Sequence, residues 1–143
     1  MQCHLIQVWP LLLFLTWTPP PIVSWLKYCQ SHTKMSVTVA SEAMSILANH
    51  VYVIPPDSDL TMENYRFKVI SPRIRRNKQV DLFFISLAEA MGVRAVGIIL
   101  SGYDGDGTEG CKHIKANGGN TFTQDISAEV NSHAAQRSGS RLC

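Results

Sequence analysis

With 143 residues, 45% of them hydrophobic and 17% charged, the chain is long enough for one domain with a core of its own. Its formal charge of +2, from 13 Lys and Arg against 11 Asp and Glu, excludes binding to nucleic acid or an anionic membrane through bulk charge. Cys3, Cys29, Cys111 and Cys143 are scattered without a CxxC pair, which excludes a disulfide framework and a zinc-finger site and predicts a reducing, cytoplasmic setting.

Residues 11–17 form an apolar run like a signal-peptide core, but no Lys or Arg precedes it and it is too short to span a membrane, so no membrane insertion is expected. Pro19, Pro20 and Pro21 forbid a continuous helix across that point. Around Trp9, Trp17 and Trp25 the apolar residues follow no clean helix or strand period. From His50 the pattern becomes orderly. HVYVIPP alternates Val51 and Val53 with Tyr52 and Ile54, as a mostly buried strand does, and Pro55 and Pro56 stop it. Residues 60–62 and 65–69, on either side of the polar pair Glu63 and Asn64, predict a short hairpin. Arg73, Arg75, Arg76 and Lys78 gather around Pro72; without aromatic or glycine framing they read as a solvated basic connection rather than an anion site.

Val80, Phe83, Phe84, Leu87, Ala88 and Met91 recur every three or four residues, with Asp81 in the first turn and Gly92 just past the end. This spacing predicts an amphipathic helix whose stripe is core. AVGIIL then runs apolar without alternation, as a parallel strand covered on both faces would. Thr108–Ala116 reads as a helix stopped by Gly118 and Gly119, and Asn120–Thr123 as the next strand, which makes a βαβ unit. In such units functional loops lie at the carboxyl ends of strands, where SGYDGDGTEG at residues 101–110 would place Asp106.

That loop admits several chemistries. A phosphate cradle needs Lys after the second glycine, and Thr108 stands there. A calcium loop would use Asp104, Asp106 and Glu109, but its turn glycine arrives early and Lys115 stands at the closing Glu position. A purely structural turn, with Gly105 and Gly107 bending the chain and Asp106 capping the following helix, accounts for most of the composition. Cys111 and His113 could be metal ligands, but at that separation on a helix they point apart.

Several strings together carry a resemblance. HTKM (residues 32–35), NHVYVIPP (49–56), VDLFFISLAEAMG (80–92), AVGIILSGYDGDGTEG (95–110), IKANGGNTFTQD (114–125) and SAEV (127–130) resemble, in order and spacing, the CheB-type protein-glutamate methylesterase domain. The resemblance implies a Rossmann-like α/β domain, a parallel sheet flanked by helices. It also implies an enzyme of chemotaxis phosphorelay signalling that hydrolyses glutamyl methyl esters on methyl-accepting chemoreceptors, with no cofactor. Catalysis in the family uses a Ser, His, Asp triad in that chain order: serine attacks the ester carbonyl, histidine carries the proton and aspartate orients the imidazole. Asp106 matches the family aspartate. Tyr103 stands where the family usually has Met.

The other two triad positions are not filled. The family histidine opens an HLDP-like motif that falls near Thr16, within TWTP, while His4 lies too far upstream, and Ser24, Ser31 and Ser101 lack the family's glycine-rich serine turn. Rereading residues 4–30 one base out of frame forces alanine at the place of Pro10, aspartate at that of Thr18 and leucine at that of Cys29, as the family pattern asks. The expected organisation is therefore an out-of-frame apolar leader at 1–31, a partial methylesterase domain at 32–132 and an anomalous tail at 133–143. Such a fold is incomplete at its N-terminal side. The shifted frame must then carry a histidine codon at Thr16; its absence from the nucleotide sequence would overturn the idea. A chain with the aspartate alone is expected to be catalytically inactive, and the alternative is a noncatalytic receptor- or partner-binding remnant.

Overall fold

Val51, Tyr52 and Val53 are all buried, and the strand they belong to, β3 (His50–Val53), lies in the middle of a parallel three-stranded sheet. The computed structural model describes residues 11–13, 21–74, 78–99 and 105–123, with residues 11–13 and Trp25 described by backbone alone. β1 (Leu11–Leu13) flanks β3 with Leu11 opposite Val51, and β2 (Ser36–Val39) flanks its other side with Val37 opposite Val51. An unbroken apolar strand suits this central position, because side chains on both faces meet cover.

Two of these elements fall in the stretch whose apolar residues show no period. β1 is one, and α1 (Ile22–His32) is the other, packed against β2. The helix begins directly after Pro21. Proline has no amide hydrogen to lose at a helix start, so the proline run sets the boundary that periodicity did not.

β4 (Asp59–Glu63) and β5 (Arg66–Ile70) form the expected antiparallel hairpin, with Glu63 opposite Arg66. The turn itself is Asn64 and Tyr65, both at positive φ (49° and 60°). Two-residue hairpin turns of this hand need positive φ at both central positions, so Tyr65 belongs to the turn and not to the strand. Its hydroxyl accepts a hydrogen bond from Arg94 at 2.6 Å.

The amphipathic helix is α2 (Gln79–Met91), ended at Gly92. It packs between β4 and the later helix α3 (Thr108–Ala116). Phe83, Phe84 and Ala88 from α2 join Leu60, Met62, Phe67, Tyr52 and Ile114 in one buried cluster. Each buried aromatic there contributes about 2–3 kcal/mol of apolar transfer energy.

β6 (Val96–Ile99) and β7 (Asn120–Thr123) pair in parallel on either side of α3 in sequence, with Ile98 opposite Phe122. This is the βαβ unit. One expectation is corrected: β6 is covered on one face, not two. Gly97 and Ile99 are buried, whereas Val96 (49%), Ile98 (53%) and, across the ladder, Phe122 (58%) are exposed. Nothing among the described residues covers that second face. The fold is thus an open α/β arrangement of parallel strands flanked by helices, as the sequence predicts. Among the described residues no helix is long and apolar enough to cross a membrane.

Candidate functional site

The loops that follow β3 and β6 leave the carboxyl ends of parallel strands, and the start of α2 is hydrogen-bonded to both, through Gln79 to Ser58 and through Val80 and Asp81 to Asp106. Asp106, 5% exposed, reaches from the β6–α3 loop to that helix start. Its Oδ2 accepts the Val80 amide at 3.0 Å and its Oδ1 the Asp81 amide at 2.9 Å. These are the second and third residues of α2, whose amides have no acceptor within the helix. The N-cap residue Lys78 supplies no side-chain cap. Asp106 therefore does the capping from another loop, and its charge meets the positive end of the helix dipole. Capping chemistry was legible in the sequence, but the helix capped in this way is α2, which precedes Asp106 in the chain.

Asp81 returns the contact. Its Oδ1 accepts the Gly110 amide, in the first turn of α3, at 2.7 Å, and its Oδ2 accepts from Lys78 Nζ at 3.0 Å. Hydrogen bonding to Asp81 and attraction to its charge raise the Lys78 pKa above the ordinary 10.5. The sequence showed Asp81 only as a first-turn acid; the signal that could have found its second role is its place in the VDLFF string that carries the family resemblance.

Two glycines let the segments approach. Gly107 sits at φ +93°, and a Cβ there would meet Ile99 Cδ1 at 2.7 Å and Val80 Cγ1 at 2.9 Å. At Gly110 a Cβ would strike the Phe84 Cβ and lie 3.2 Å from the Asp81 Cα. The chain entering α2 is held as well. Ile74 donates its amide to Asp59 Oδ2 (2.9 Å), Arg73 its amide to the Asp57 carbonyl (3.0 Å), and Gln79 Nε2 donates to the Ser58 carbonyl (3.1 Å). Asp59 is fully buried, and Arg73 is half-buried, so this basic connection is not wholly solvated as expected.

The other candidate residues are engaged elsewhere. His32 Nδ1 lies 2.8 Å from the Tyr28 carbonyl and 3.0 Å from Ser31 Oγ. A carbonyl can only accept, so Nδ1 carries the proton and cannot serve as a base toward Ser31, whose hydroxyl itself donates to Tyr28 O at 2.7 Å. His50 Nδ1 bonds the Ala48 carbonyl, and His113 lies 3.8 Å from Glu109. Ser24 is exposed on α1. Of the three carboxylates of the calcium reading, Glu109 is exposed and pairs with Lys112, while Asp106 is buried against α2. Cys111 is buried and His113 partly exposed. His4, Thr16, Ser101, Tyr103 and Asp104 lie outside the described residues.

A buried carboxylate fixed by two backbone amides is the kind of group that can orient an imidazole N–H in catalysis. That chemistry needs a histidine and a nucleophile beside it.

Comparison with known proteins identifies the family and the fold. The sequence model of the CheB methylesterase family matches residues 17–138. The chain is 38% identical over 96 residues to an uncharacterized 104.1 kDa protein from the hypE 3' region of Rhodobacter capsulatus, a match covering 66% of this chain and 10% of that protein. It is 36% identical over 101 residues to the protein-glutamate methylesterase/protein-glutamine glutaminase of Hydrogenovibrio crunogenus, covering 66% of this chain and 27% of the relative. The chain thus spans about a tenth and about a quarter of the length of these relatives. In fold it is similar to the CheB methylesterase catalytic domain of Thermotoga maritima, with a TM-score of 0.78 at 20% identity, over 96% of this chain and 77% of that one.

Proposed function

The chain belongs to the CheB methylesterase family, and from that membership we propose that Asp106 is the aspartate of a protein-glutamate methylesterase triad. The carrying observation is the buried Asp106 carboxylate, fixed by the Val80 and Asp81 amides in a loop at the carboxyl end of β6. A group held this way keeps its charge at one place, which is what orientation of a catalytic imidazole requires. The family reaction is attack of a serine on a glutamyl methyl ester of a chemoreceptor, release of methanol, and hydrolysis of the acyl-enzyme by water.

This chain does not complete that reaction alone. None of its serines stands in the family's turn, and among the described histidines His32 is hydrogen-bonded to Tyr28 and Ser31, His50 to Ala48, and His113 lies 3.8 Å from Glu109, none of them arranged as a base for a nucleophile. Losing nucleophile and base together costs a triad enzyme about a millionfold in turnover. The test is methanol release from methylated chemoreceptor membranes by the purified chain. No release above that of an Asp106→Asn variant is expected, and release that depends on Asp106 would overturn the assignment of inactivity. Co-sedimentation with the same membranes, without methanol release, is the outcome a receptor-binding remnant predicts.

A further inference from the structure

The Asp106 carboxylate rests on two consecutive amides of α2 and so moves with the first turn of that helix. That turn receives no cap from its own N-cap side chain. The return link, from the Gly110 amide to Asp81 Oδ1, joins the same two segments in the opposite direction. Asp106 and Gly110 are four residues apart on one side, and Val80 and Asp81 are adjacent on the other, so the two links close a ring. With the second link broken, the first is left as a hinge about which the loop can turn.

We infer that Asp81 is a positioning residue for Asp106, holding the first turns of α2 and α3 at the separation that keeps the Asp106 carboxylate on its two amides. The Asp81 side chain is buried and its bond to Gly110 is a short charge-assisted one. Its other partner, Lys78, has a side chain 54% exposed, and an ion pair at that exposure holds little. The Gly110 link is therefore the one that sets the geometry, and the absence of a Cβ at Gly110 is what permits it. The functional meaning of this role rests on Asp106 as a triad aspartate; the geometry does not.

Amide hydrogen exchange of the full chain tests it, with Tyr52 in β3 as the reference for global opening. Asp81→Glu keeps the charge and the first-turn preference but displaces the acceptor by one methylene, whereas Asp81→Asn keeps an acceptor oxygen in place. In the Glu variant, exchange at Val80 and at residue 81 should accelerate about tenfold or more relative to Tyr52, and in the Asn variant stay within about threefold. Unchanged relative protection in the Glu variant overturns the proposal, as does an Asn variant that loses as much as the Glu one. Loss of Tyr52 protection in step with Val80 also overturns it, in favour of a purely structural role. Lys78→Met should leave both amides protected, and a loss matching the Glu variant would move the role to the ion pair. Exchange reads geometry alone, so its failure is distinct from any outcome of the methanol assay.

Discussion

At the scale of single residues, the site is decided by where two carboxylates send their oxygens. Asp106 satisfies two helix-start amides, one buried and one part-buried, with a charged acceptor, and hydrogen bonds to charged groups contribute about 1.5–3 kcal/mol net. Asp106→Ala should therefore lower unfolding free energy by about 2–3 kcal/mol, measured from the urea midpoint at unchanged m. A change below about 0.5 kcal/mol would mean that water satisfies those amides equally well. Lys78 couples folding to pH. Its pKa is raised in the folded chain, first by the hydrogen bond to Asp81 and then by the Asp81 charge. The stabilisation is complete below the ordinary value of 10.5 and is lost as pH rises through the higher folded value. Because the lysine is more than half exposed, solvent screening leaves about 0.3–0.5 kcal/mol. Lys78→Met should cost that much at neutral pH and remove the corresponding part of the stability loss above about pH 10.5. A titration of melting temperature that is identical for the two proteins across that range would contradict it. Asp106 stood out in the sequence through its loop and the motif around it, and its burial against α2 is what the fold added. The partnership of Asp81 was not legible there, because the Gly110 amide it binds lies 29 residues away.

At the scale of elements, periodicity served well where a helix had one buried stripe. The stripe from Val80 to Met91 predicts α2 to within one residue, and Gly92 marks its end. The hairpin was legible too, but its register depended on the positive φ of Asn64 and Tyr65, and nothing in a tyrosine announces that conformation. The close approach of α2 and α3 is where element packing meets the site. Gly110→Ala adds helix propensity worth about 1 kcal/mol, yet the new methyl meets the Phe84 Cβ and the Asp81 backbone, neither of which can swing aside. Overpacking of that kind costs about 1–3 kcal/mol, so the variant should be destabilised on balance by about 1 kcal/mol. A raised melting temperature would show that the helices separate more easily than this packing implies.

At the scale of the whole molecule, the order of apolar runs, the βαβ spacing and the strings from residue 32 onward were sufficient to predict an open α/β fold and the methylesterase family. These are chain-local properties: the period of burial, the residues that stop a helix or strand, and motifs read in sequence order. The tertiary structure alone decided what depends on distant segments meeting. It placed β1 beside β3 and started α1 at Pro21 in a stretch without any period. It left one face of β6 and β7 exposed where an unbroken apolar run had implied cover on both. It also turned Asp106 toward α2 and tied Asp81 back to Gly110. An apolar side chain announces that it will be buried, but not against what. A carboxylate announces that it needs donors, but only the folded chain decides which amides come within reach.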